Sequence, residues 1–498
     1  MNSKFLFVVL VGILWACSNN KAIIKQKTRV VICFDVEDYT SPESVGMDDI
    51  PMRLAEIMTE EEVTGTFFVI GEKARSLRDR GRADVIDAMS KHDIGLHTNF
   101  GSIHPTITEI LEDKSWEEGI KIMKENEYQG FDDLQEIFGK EVIPFARHGG
   151  SYGTQLIAAL GQIGANYVYS PIGLPGHNAT WFCNTLNIYG VGDYYIYDDV
   201  FSNDQKFDSL QSVFGQKFPE LIDGLDVVSF FAGHPSKMRS VQFWDINYYY
   251  GANPDSTEWV TPELRPEESM ETVYRNFRKL LQFLKTLDYV ELTTYSEIIK
   301  EFSNQRVQIT RDELTEVAQM LLEGKQMVFL DHYSWAEIFY ALSFSLSNTN
   351  KNEEMPVVIN LTRPYGPMQT PDENSNVAEL TAEKIRELAF NATEYINEKN
   401  HLPDRLSVDN LHLGTRSLLG LFSQYYIDVL SQENPSSISL VPIAGFPEEN
   451  VNMILNEVKG CKDWPVHRND LDMTEIIAAT KRQLWTLKPA ITNGSISN

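Results

Sequence analysis

The uninterrupted apolar run at residues 30–34, Val-Val-Ile-Cys-Phe, constrains this chain more than any other stretch. A run of that length rich in β-branched residues is the pattern of a strand buried on both faces, as in parallel sheets. Three acids follow it at once: Asp35, Glu37 and Asp38. Carboxylates just past the C-terminal end of a buried strand lie where α/β barrels and open α/β sheets place their chemistry. Asp35 and Glu37 are two residues apart, so on a strand they face one side, whereas Asp38 requires the chain to have turned.

The same pattern recurs down the first half. Thr66 to Ile70 is a second buried run between glycines. Residues 93–97 form a short third run ending in His97, and residues 141–148 a fourth ending in Arg147 and His148. Further runs at 165–173, 182–190 and 226–237 complete the series, and the last carries His234. Helical stretches lie between them. Residues 273, 277, 280, 281, 284 and 287 are apolar on one helical face. Strands alternating with helices over about 270 residues predict a parallel α/β architecture of roughly one barrel-sized domain, with its polar residues converging at the strand ends.

From about residue 305 the texture becomes helical, and 304–498 reads as a separate, mainly helical domain. Its parts on either side of 351–375 are loosely self-similar: a helix, a polar connection, then an aromatic-rich helix. A chain of 498 residues carries two or three domains by length alone.

With 43 basic against 71 acidic residues the formal charge is −28. That argues against nucleic acid or an anionic membrane surface as partner, since both need a basic footprint, and suits a neutral or cationic glycan. Residues 1–17 combine Lys4, an apolar run and Cys17, the pattern of a signal peptide. Leu14-Trp15-Ala16-Cys17 resembles a bacterial lipobox, which implies lipidation at Cys17, a tether over 18–27 and an envelope location, outer membrane or periplasm. Plain cleavage and secretion is the alternative. Of the other cysteines, Cys33 reads as a small buried hydrophobe, and a Cys183–Cys461 disulfide is conceivable in an oxidising compartment.

Taken in order, these segments resemble the polysaccharide deacetylase family (NodB homology, carbohydrate esterase 4) over residues 28–303. Phe34-Asp35-Val36-Glu37-Asp38 is similar to its acidic motif, and Gly65 to Gly71 to its second strand. His97-Thr98 is similar to the start of its H-[ST]-x-x-H metal motif, residues 147–152 to its arginine motif, and Gly233-His234-Pro235 to its last motif. The resemblance implies a distorted (β/α) barrel. It also implies a divalent metal, zinc first, with cobalt, manganese or nickel as alternatives, and removal of N- or O-acetyl groups from a polysaccharide. Asp35 would be the general base, His234 the general acid, and Arg147 would orient Asp35. His97 and either Glu37 or Asp38 would hold the metal. Residues His148 and Tyr152 would line the substrate mouth; Trp244, which follows His234, is either a sugar-stacking platform at that mouth or part of the core.

Such chemistry needs these residue types. A bound divalent ion brings the pKa of water from 15.7 to about 7. Two histidines and a carboxylate leave a zinc position open. A base and an acid must then move protons.

This chain departs from the pattern at Gly101, where the family's second histidine would stand. Either His104 substitutes from a longer loop or the metal site is degraded. A glycan-binding scaffold that has lost catalysis is therefore the rival reading, with a hydrolase of non-glycan amides as a third. The helical half is faintly similar in rhythm to pseudomurein-binding repeats, against the plainer alternative of an ordinary helical domain.

Overall fold

The computed structural model describes residues 27–189, 199–221, 227–302, 305–347, 355–371, 379–409, 411–433 and 435–492. Cys17 and residues 18–26 of the expected tether lie outside the described residues. The first half is mixed α/β. Its strands are β1 (Thr28–Val36), β2 (Thr66–Val69), β3 (Asp93–Leu96), β4 (Pro144–Ala146), β5 (Asn166–Ser170), β6 (Ala179–Phe182), β7 (Thr185–Tyr189), β8 (Val227–Gly233) and β9 (Val290–Thr293). One ten-stranded sheet takes them in the order β6-β7-β5-β4-β3-β2-β1-β8, with β9 against the first half of β1. All neighbours from β5 to β8 are parallel. Among the described residues the two edges of this sheet are not paired with each other.

The apolar runs explain the centre of this sheet. Residues 30–34 are wholly buried in β1, with β2 on one side and β8 on the other. Their registers bring the strand ends level: Val36 lies opposite Val69, Val69 opposite Leu96, Leu96 opposite Phe145, and Phe34 opposite Gly233. Helix Ser269–Lys285 covers one face with Val273, Phe277, Leu280, Leu281 and Leu284, the face its periodicity predicts.

A second core begins at Ile309 and is built from two related units, each with a strand, two helices and a returning strand; the second adds a hairpin, Arg405–Val408 with Leu411–Gly414, between its helices. In the first, strand Gln308–Thr310 pairs antiparallel with Val358–Asn360 around helices Arg311–Gly324 and Trp335–Ser347. In the second, Glu379–Thr381 pairs with Ser437–Ser439 around helices Ala382–Lys399 and Thr415–Leu430. Thr310 and Thr381 cap the first helix of each unit, and Lys325 and Asn400 end it in the left-handed conformation. The units pack crosswise, the first helix of each against the second helix of the other.

Residues 451–487 contribute Val451, Ile454, Leu455, Val458 and Ile476 to the first core, and strand Lys488–Pro489 pairs antiparallel with β6. Burial of these apolar side chains against the first core holds the returning segment there. Cys183 and Cys461 are buried and unbridged. No helix among the described residues is long and apolar enough to cross a membrane.

Candidate metal centre

Asp35 lies near the end of β1 and Glu37 directly follows it, and both carboxylates enter one cluster. Neighbouring strand ends add the rest: His97 follows β3, His148 lies two residues past β4, and His234 follows β8. His97 Nε2 is 3.1 Å from Glu37 Oε1 and 3.6 Å from Asp35 Oδ2. His148 Nδ1 is 3.1 Å from the same Glu37 oxygen and 3.2 Å from His97 Nε2. His234 Nε2 is 3.7 Å from Glu37 Oε1 and 3.8 Å from Asp35 Oδ2. The Asp35 and His234 side chains keep 11% and 19% of their surface exposed, so the cluster opens to solvent on their side.

The outward atoms of the inner three are tied down. His97 Nδ1 donates to the Ala146 carbonyl at 3.2 Å. A carbonyl can only accept, so this bond puts the ring proton on Nδ1 and turns the Nε2 lone pair toward Glu37. His148 Nε2 is 2.8 Å from Ser102 Oγ. Glu37 Oε2 accepts from the Trp244 indole N–H at 2.9 Å. Lone pairs on two imidazoles facing one carboxylate oxygen repel unless a cation or proton lies between them. The set Glu37, His97 and His148 therefore fits a divalent ion, with three donor atoms within 4.8 Å of one another and a coordination position left open. Asp35, Glu37 and His234 form a second, overlapping set.

The electrostatics follow from burial and this crowding. Burial alone would push the Glu37 carboxyl up, but His234 and His148 hold it well below the usual carboxylate range. For His97, burial is outweighed by Asp35 and Glu37, and its pKa is raised. Burial dominates at His148 and lowers it against the pull of Glu37. Asp245, beside the cluster, is pushed up to about 7 by burial and then by Glu37.

Several expected site residues lie elsewhere. Asp38 turns away: Oδ1 accepts the backbone N–H of Thr40 and Ser41 at 3.0 and 2.9 Å, and Oδ2 accepts the Ser41 hydroxyl. It caps the turn after β1. His104 does not reach the centre either. Its Nδ1 lies 2.7 Å from Glu109 and its Nε2 donates to the Tyr248 carbonyl at 2.9 Å, so both ring nitrogens are engaged. Position 101 excludes a large side chain for a local reason. Gly101 has φ +60°, and a Cβ there would come 2.9 Å from Ile70 Cδ1. Tyr152 is fully buried with its hydroxyl on Thr480, and Trp244 is fully buried under Glu37, so neither lines a mouth. Arg147 donates from Nε to the Tyr169 carbonyl and from Nη1 to the Cys461 sulfur.

His148 as a donor beside His97 escapes motif reading, which put it at the substrate mouth. The signal is the strand order: β4 lies next to β3, so residues just past β4 stand beside residues just past β3.

No family model matches the chain, and no curated protein matches it. Among solved structures, a protein from Mycobacterium smegmatis described as a polysaccharide deacetylase is 16% identical, with 55% of this chain and 90% of that one covered and a TM-score of 0.35. A peptidoglycan N-acetylglucosamine deacetylase is 15% identical, covering 55% and 89%, with a TM-score of 0.31. A CE4-family pseudoenzyme from Bacillus anthracis is 12% identical, covering 55% and 66%, with a TM-score of 0.29.

Proposed function

We propose that this chain is a metal-dependent hydrolase that removes N- or O-acetyl groups from a cell-wall or extracellular polysaccharide, with the metal, zinc first, held by Glu37, His97 and His148. The observation that carries the reading is the convergence of these three buried donors beside the more open Asp35 and His234. When bound, the ion would supply a water of lowered pKa and polarise the acetyl carbonyl. Asp35 would accept the water proton at Oδ2. His234 would deliver a proton from Nε2 to the departing amine or alcohol, the division of labour that acid–base hydrolysis requires. Burial of Glu37, His97 and His148 keeps bulk water off their donor atoms.

Cys17, lipidated, would hold the enzyme at the envelope, and the paired helical units would help to place it on the polymer.

The test is metal content and acetate release in the full chain. The wild type should bind one zinc and release acetate from acetylated glycans such as chitooligosaccharides or acetylxylan. Asp35→Asn should keep the zinc and lose acetate release. A protein that takes up no zinc, cobalt, manganese or nickel supplied in excess would sink the reading.

A further inference from the structure

His97 and His148 are held in different ways. His97 is fixed within the sheet, by a carbonyl of the adjacent strand. The ring of His148 is fixed from outside it. Its centroid lies 5.0 Å from that of Trp464, the planes at 90°, and 6.0 Å from that of Trp244. Trp464 belongs to the segment that returns from the far end of the chain. Where it meets the loop after β4, two glycines leave room for it. Gly149 has φ +52°, and a Cβ there would lie 2.2 Å from Trp464 Cε2. At Gly150 a Cβ would lie 2.1 Å from the Cys461 carbonyl oxygen.

The same segment grips the second loop over the centre. The amides of Tyr250 and Gly251 donate to the carbonyls of Pro465 and Val466 at 2.8 and 3.1 Å. Val466 is fully buried against Tyr39, Ile70, Trp244 and Tyr248. Both loops that bear on Glu37, one through His148 and the other through Trp244, are thus docked on residues 461–466.

We infer that Trp464 is a positioning residue for the metal centre: the returning segment holds the His148 ring toward Glu37, so metal affinity depends on its docking. This rests on the metal reading above. A ligand ring freed to rotate must be reordered on binding, and outer residues that orient ligands are worth about 10- to 100-fold in metal affinity. The coupling is reciprocal, so metal should tighten the docking in turn.

The experiment measures zinc affinity in the full chain by competition with a chromophoric chelator, for wild type, Trp464→Ala and Trp464→Phe. Trp464→Ala should bind about 10- to 100-fold more weakly, and Trp464→Phe, which restores a ring edge, should recover most of the loss. Hydrogen exchange on the wild type needs no variant: zinc should slow the Tyr250 and Gly251 amides about tenfold. Trp464→Ala with wild-type affinity overturns the inference, as do Tyr250 and Gly251 amides indifferent to zinc, and either result leaves the metal reading standing. A wild type that binds no zinc overturns both.

Discussion

Ser102 Oγ lies 2.8 Å from His148 Nε2, on the side of the ring turned away from Glu37. Both residues are buried, so water cannot replace the hydroxyl freely. Ser102→Ala should weaken zinc binding by about tenfold, through loss of the bond that orients the ring. Its cost in folding stability should be about 1 kcal/mol. Chelator competition and urea unfolding on the same protein separate the two effects, and an unchanged zinc affinity would show that the hydroxyl does not orient the ring.

His104 gives the opposite expectation. His104→Asn should leave the zinc stoichiometry intact and lower stability by about 1–3 kcal/mol, because Glu109 stays buried without its partner. The pH dependence has a definite sign. Burial raises the Glu109 carboxyl, but His104 and the amides of Arg468 and Thr106 bring it down to about 2. Burial opposes the charged form of His104, but Glu109 and the Tyr248 carbonyl outweigh it and raise its pKa. A lowered carboxyl contributes stability that fades as pH falls below about 4.3, and a raised histidine one that fades as pH climbs past about 6.5. Melting curves of wild type and variant should therefore differ most between about pH 4.3 and 6.5. A gap that grows above that window would refute the pairing.

Glu127 should show a reversed carboxyl effect. It is buried, accepts the Asn99 amide at 3.0 Å, and is pushed up to about 8 by burial. The folded state then keeps a proton that the unfolded chain loses above about 4.3, so stability falls as pH rises from there toward 8. Glu127→Gln removes this term. The variant should match wild type near pH 4 and exceed it by roughly 2–4 kcal/mol at pH 8, as read from denaturant midpoints at both values.

Among the described residues a buried ion pair bridges the two cores. Lys488 Nζ, on the strand beside β6, lies 2.7 and 2.9 Å from the two oxygens of Glu337, on the helix Trp335–Ser347. Glu337→Gln strands a buried ammonium and should cost about 3–5 kcal/mol. Replacing both partners with methionine should cost less than the single change, because the buried ammonium leaves with its carboxylate and Arg363, 3.6 Å from Glu337, is partly exposed. Urea unfolding of the three proteins decides it, and a double variant no better than the single one would exclude this account.

Much of the sheet is legible in the sequence because buried parallel strands announce themselves as unbroken apolar runs, and the polar residue that ends each run marks its rim. Asp35, Glu37, His97 and His234 could be placed together on that basis. Asp38 and His104 could not be sorted from them, since a turn of one residue or a loop of seven sends a side chain either way. The structure settles each by local bonds: Thr40 and Ser41 take Asp38, and Glu109 with Tyr248 takes His104.

The sequence by itself determined the mixed α/β, largely parallel character of the first half and the acidic rim of β1, because both follow from local periodicity and strand-end chemistry. Only the tertiary structure decided which histidine stands beside His97, and that residues 448–490 return to roof the centre with Trp464. Both depend on which elements lie side by side in space. Strand order and the docking of a distant segment are set by the packing of complementary surfaces, and neither leaves a periodic trace in the chain.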